Sequence, residues 1–85
     1  MKDENGRGVI RLHDKTTHGG EVITACDEIK AMGIPVALKD DMTWCPQCKG
    51  KFKILPENSQ RNHHGKPVAY HNDPTECGAR LISSL

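Results

Sequence analysis

The chain writes one five-residue phrase three times: Asp14-x-Thr16-x-His18, Asp41-x-Thr43-x-Cys45 and Asp73-x-Thr75-x-Cys77. The second and third copies extend backwards in step. Gly33, Pro35, Val36 and Ala37 lie against Gly65, Pro67, Val68 and Ala69, 32 residues apart. The first copy keeps a glycine, Gly6, eight residues before its Asp, and its His18 precedes Cys45 by 27 residues. Repetition outranks local propensity as a guide to architecture, because units this short cannot each bury a core. Three equivalent units imply a pseudo-threefold arrangement with His18, Cys45 and Cys77 in equivalent places.

The 85 residues therefore form one domain, 1–85, and its core is thin: 35% hydrophobic residues, with Trp44, Phe52 and Tyr70 the only aromatics. A chain of this size folds alone only marginally and usually needs a staple. Four Cys and five His make disulfides or a metal the candidates. No apolar stretch approaches a membrane span, and Met1-Lys2-Asp3-Glu4-Asn5 lacks the apolar core of a signal peptide. Synthesis in the cytosol without a signal peptide is thus expected, where thiols stay reduced and a Cys/His cluster reads as a metal site. A net charge of +1 with scattered Lys and Arg argues against nucleic acid as a partner.

Short strands and turns dominate. Val9-Ile10-Arg11-Leu12 is an apolar run, Val36-Ala37-Leu38 and Val68-Ala69-Tyr70 follow Gly-x-Pro turns, and Phe52-Lys53-Ile54-Leu55 alternates before Pro56. Arg80-Leu81-Ile82 makes a last strand, and the polar stretch 57–66 reads as an exposed loop. Residues 21–32 carry two readings. Val22, Cys26, Ile29 and Met32 stand at helical spacing before Gly33. The repeat instead suggests a strand hairpin leading into Gly33-x-Pro35, and strand is preferred.

The repeated phrase has a mechanical meaning. Short Asp and Thr side chains bond nearby backbone groups, fixing a tight turn and aiming the fifth residue. Cys45-Pro46-Gln47-Cys48-Lys49-Gly50 has the spacing of a zinc knuckle, but without a second Cys-x-x-Cys it is not an ordinary zinc ribbon. Its other ligands come from afar, and His18, His71 and Cys77 are the natural suppliers. Together with Cys45 and Cys48 they make five candidates for four tetrahedral positions. A closed His/Cys set is structural and leaves no open position for Lewis-acid chemistry. Cys26, between apolar neighbours, reads as a packed small hydrophobe, and His63 and His64 as exposed loop residues. No nucleophile elbow, phosphate-binding Gly loop, HExxH pair or pocketed acid pair is present, so an enzyme has nothing to stand on. A zinc-binding adaptor for protein or nucleic acid shares the Cys-Pro-x-Cys but leaves the repeats unexplained. A thiol-redox protein needs a reactive thiolate in a βαβ setting, which is not visible.

Asp14-Lys-Thr-Thr-His18-Gly-Gly, Gly33-Ile-Pro-Val-Ala37, Asp41-Met-Thr-Trp-Cys45-Pro-Gln-Cys48, Gly65-Lys-Pro-Val-Ala69 and Asp73-Pro-Thr-Glu-Cys77-Gly-Ala-Arg together resemble the PAAR-domain family, in its Cys-Pro-x-Cys form. The resemblance runs from about Val9 to the C-terminus. The name-giving Pro-Ala-Ala-Arg is Pro35-Val-Ala-Leu38 and Pro67-Val-Ala-Tyr70 here, and the usual Gly-Asp is His13-Asp14 and Asn72-Asp73.

The resemblance implies a small all-β, cone-like fold of β-hairpins with pseudo-threefold symmetry, stapled near its apex by one structural Zn2+. Carried over residue by residue, the family's ligands fall on His18, Cys48, His71 and Cys77, with Cys45 the alternate. The repeat itself favours Cys45 beside His18 and Cys77. The implied function is non-enzymatic: a tip protein capping the trimeric β-helical spike of a bacterial type VI secretion system, one chain per VgrG-type homotrimer. It would sharpen the spike for membrane piercing and effector delivery. Effector proteins are possible further partners, and the target membrane is touched only in passing. With the last motif ending just before Leu85, no fused effector domain is expected. Export would be on the spike, to the extracellular space or a target cell.

Overall fold

The computed structural model describes residues 7–57, 62–63 and 65–84. Gly6, His64 and most of the polar stretch after residue 57 lie outside them. The described residues contain strands, bridges and turns and no helix. Nine short strands follow in order: β1 (Lys15–Thr16), β2 (Glu21–Val22), β3 (Cys26–Ala31), β4 (Ile34–Val36), β5 (Met42–Cys45), β6 (Gly50–Lys53), β7 (Asn62–His63), β8 (Lys66–Pro67) and β9 (Leu81–Ile82). One antiparallel sheet runs β6-β5-β2-β1-β9, and β3-β4 and β7-β8 form separate hairpins.

The threefold repeat is written into the backbone as closed rings of hydrogen bonds. Ile10 N–H donates to Ala69 C=O (2.9 Å), Ala69 to Ala37 (3.0 Å) and Ala37 to Ile10 (2.8 Å). A second ring links Leu12 to Pro35, Lys39 to Pro67 and His71 to Gly8 at 2.8–2.9 Å. Bridges Val9↔Tyr70, Arg11↔Val36 and Leu38↔Val68 repeat the pattern a third time. Each unit thus fills the backbone groups of the next, and the third returns to the first. A short chain with few apolar side chains satisfies its buried peptide groups by closing a circle rather than by leaving an edge.

The Asp of each phrase closes a turn. Asp14, Asp41 and Asp73 each accept the backbone N–H three residues earlier, on Arg11, Leu38 and Tyr70, at 2.7–2.8 Å. Each also donates its own N–H to that residue's carbonyl at 3.0–3.1 Å. The residue before each Asp has left-handed backbone: His13 (φ 72), Asp40 (φ 72) and Asn72 (φ 73). Positive φ at the third turn position is what a type II turn demands. Glycine fills it without strain, and His, Asp and Asn are the other residue types most often found there.

The core follows the same symmetry in two layers. Val9, Val36 and Val68 pack with Leu38, Tyr70 and Ala31. Ile10, Ala37 and Ala69 pack with Val22, Ile54 and Leu81. In the last three, the N–H bonds the carbonyl of Asp14, Asp41 and Asp73 at 2.9 Å, so each return strand is locked to the turn it follows.

Residues 21–32 hold the strands β2 and β3, joined by 23–25, and no helix, in line with the reading the repeat favours. The helical spacing there reflects a bulge: between Cys26↔Val36 and Lys30↔Pro35 the pairing advances four residues on β3 against one on β4. Such a bulge breaks the two-residue alternation that periodicity looks for. Beyond residue 57, the predicted loop contains the β7-β8 hairpin, and His63 is half-buried rather than exposed.

Candidate metal centre

The fifth residue of each phrase arrives at a common point. His18 follows β1, Cys45 ends β5, and Cys77 follows the third turn. Cys48 joins them from the hairpin turn between β5 and β6, where Cys45 pairs with Gly50 and Lys49 takes φ 54. The ligand atoms of His18, Cys45, Cys48 and Cys77 all lie within 4.8 Å of one another. Cys45 Sγ stands 3.5 Å and Cys77 Sγ 3.8 Å from His18 Nδ1. A tetrahedron with the usual zinc–sulfur and zinc–nitrogen bond lengths has edges of about 3.5 Å between S and N and about 3.8 Å between two S. Three sulfurs and one imidazole at these spacings fit a closed four-coordinate ion. They leave no position for a reacting water.

The local turns explain the convergence. Gly19 (φ 80) and Gly78 (φ 87) follow His18 and Cys77 in the left-handed region, letting the chain double back immediately behind each ligand. Gly20 carries the tighter demand: a Cβ there would sit 1.8 Å from the Trp44 carbonyl oxygen. That contact brings the first unit's turn directly against β5, and so His18 against Cys45.

The equivalent threonines do different work. Thr16 Oγ1 accepts the Gly20 N–H (3.1 Å), Thr43 Oγ1 donates to Phe52 C=O (3.0 Å), and Thr75 Oγ1 lies 3.2 Å from Cys77 Sγ. Burial pushes the Cys77 thiol up, but hydrogen bonds from the Thr75 hydroxyl and the Ala79 N–H, joined by Cys45 and His18, outweigh it and bring it down to about 7. Cys77 is therefore the thiol most ready to bind metal as thiolate at neutral pH. Cys48 is shifted the other way, first by its hydrogen bond with Cys45 and then by burial and the neighbouring sulfurs. Three thiols crowded together resist carrying three negative charges until a cation joins them.

Of the residues expected from the sequence, His18, Cys48 and Cys77 meet here, and the alternate Cys45 completes the group. His71 stands outside it. His71 sits within the Tyr70–Asp73 turn, and its ring is engaged elsewhere, with Nδ1 accepting the Ser83 N–H at 3.0 Å. His71 occupies the position of Leu12 and Lys39 in the second hydrogen-bond ring, not a ligand corner.

The family model described as PAAR motif matches residues 12–83, a span that includes all three phrases and all four clustered residues. No curated protein matches the chain.

Proposed function

Since the chain belongs to the PAAR-motif family, whose place is at the tip of the type VI secretion spike, we propose that it caps the blunt end of a trimeric β-helical spike, one chain per VgrG-type trimer. The observation that carries this reading is the ring of backbone bonds joining Ile10, Ala37 and Ala69. A single chain built on a threefold ring offers three near-identical faces, which suits a homotrimer whose three strand edges end together. Such edges otherwise invite aggregation, and continuing them strand by strand is a recognised mode of association. A single chain can engage all three subunits equivalently at once only if its contact surface is itself threefold.

The apex then serves hardness rather than chemistry. His18, Cys45, Cys48 and Cys77 would hold one structural Zn2+ where the cone is too narrow for side chains to pack. Metal binding and folding should be coupled there, since the site does not exist in the unfolded chain. Of the two ligand sets the sequence allowed, the clustered geometry and the threefold equivalence of His18, Cys45 and Cys77 favour this one over a set containing His71. Driven by sheath contraction, the capped spike would pierce a target membrane and carry effectors with it, without catalysis by the tip. A small zinc adaptor would have no use for three closed rings.

Mixing the purified, metal-loaded chain with its cognate spike trimer and weighing the complex by native mass spectrometry tests the cap. One chain per trimer is expected. Absence of a complex, or three chains per trimer, refutes the assignment.

A further inference from the structure

Away from the apex, a second set of metal-binding side chains converges between the two excursion hairpins. Cys26 and Glu28 come from β3, and His63 from β7. Their ligand atoms all lie within 4.8 Å of one another, and Glu28 Oε1 is 4.0 Å from His63 Nε2. None of the three belongs to the threefold set. The bulge in β3 spans the residues between Cys26 and Lys30, freeing Glu28 from the pairing with β4; bulges commonly re-aim a side chain at a site. A cavity of about 210 Å³ adjoins Cys26 and His63, lined also by Leu38, Lys39, Asp40, Asp41 and Lys66.

The geometry points to a second divalent-metal site, made by Cys26, Glu28 and His63, that ties β3 to the β7-β8 hairpin. One thiolate and one carboxylate neutralise a 2+ ion, and a neutral imidazole completes a mixed S/O/N set typical of Zn2+ and its borderline relatives. Three protein ligands leave a fourth position open. The cavity provides room for it, and its wall balances Lys39 and Lys66 against Asp40 and Asp41. Tetrahedral edges of about 3.3–3.8 Å require the three side chains to draw in by up to about 1 Å. Cys26 and His63 are half-buried and Glu28 exposed, so Glu28 has the freedom to make most of that movement. The competing account is a Glu28–His63 ion pair beside a thiol packed on the Val9 cluster, and it takes up no metal.

The site is independent of the apex, so its test stands apart from the tip assignment. The whole chain is stripped, reloaded with excess Co2+, desalted, and measured for cobalt per chain and for visible and near-ultraviolet absorption. Two Co2+ are expected, the second adding the charge-transfer band of a single thiolate. His63→Ala and Cys26→Ala should each abolish the second equivalent and leave the apex spectrum unchanged. Glu28→Gln should weaken it at least about tenfold, since a ligand is lost. His63 lies outside both core clusters, whereas Cys26 packs on one of them, so His63→Ala keeps the test sound even if Cys26→Ala loosens the core. A single Co2+ per chain in the wild type overturns the site. So does a second equivalent that survives His63→Ala and Cys26→Ala.

Discussion

Replacing Gly20 by Ala should damage this protein more than any other single-methyl change at the apex. The added Cβ would sit 1.8 Å from the Trp44 carbonyl oxygen, 2.9 Å from its carbon and 3.3 Å from Pro46 Cδ. Real Cβ contacts under about 3 Å are essentially absent, so β2 and β5 must separate by more than 1 Å. The first two obstacles are backbone, which no rotamer change can remove. Separation strains the Glu21↔Trp44 pairing and the Ile23-to-Met42 hydrogen bond beside it. Two or three backbone bonds at about 1 kcal/mol each, plus about 1–3 kcal/mol for overpacking, give roughly 3–5 kcal/mol. For a domain of this size that is a fall in melting temperature on the order of 15 °C or more. The same movement carries His18 away from Cys45, so metal per chain should drop as well. Gly19→Ala is the control. Its Cβ meets nothing nearer than 3.9 Å and its φ of 80 costs only the left-handed strain of about 1–2 kcal/mol. Thermal melts of both variants, with and without metal, measure the difference. A Gly20→Ala protein with wild-type melting and a full metal complement would refute the claim that this close approach sets the apex.

Three further outcomes follow from the same geometry. Cys45→Ser should weaken zinc binding by well over tenfold, whereas His71→Ala should leave affinity within about twofold and cost stability only through the lost Ser83 bond, about 1 kcal/mol; competition with a chromophoric chelator distinguishes the two. In the metal-stripped protein, folding favours the Cys77 thiolate, holding its pKa at about 7 against an ordinary 9.0. Stability contributed by Cys77 should therefore be fully present above pH 9 and be lost as the pH falls through 7, a dependence that chemical denaturation at stepped pH will detect and that Cys77→Ser should remove. Asp40→Gly, at φ 72, should leave stability unchanged or raise it by up to about 1 kcal/mol, because relief of left-handed strain offsets the greater freedom of glycine in the unfolded chain; a clear loss in the denaturation midpoint would show that Asp40 does more than turn the chain.

The three phrases look alike in sequence but divide their labour in space. Each Asp closes the same turn, while the threonines cap a glycine, anchor a strand and hydrogen-bond a thiol. Symmetry is strict where backbone meets backbone and relaxed where side chains serve the apex. That is what a symmetric partner and an asymmetric four-ligand metal site would together require.

The spacing of Asp14, Asp41 and Asp73 alone determined that the chain is three units, that they close on one another, and that His18, Cys45 and Cys77 share equivalent corners. Repetition carries that information because equivalent backbone turns place their fifth residues equivalently, whatever those residues are. The repeat also favoured strand over helix for residues 21–32, which hold β2 and β3, although the β3 bulge gave the segment a helix-like spacing. Only the tertiary structure brings Cys45, and not His71, together with His18, Cys48 and Cys77. Both are reachable ligands along the chain, but His71 lies within the Tyr70–Asp73 turn with its ring on the Ser83 N–H, whereas Cys45 ends β5 beside His18. The second cluster was equally invisible. Cys26 reads as core and His63 as loop until a bulge and a hairpin bring them together, because contacts between excursions of different units obey no repeat and depend on how far each hairpin leans.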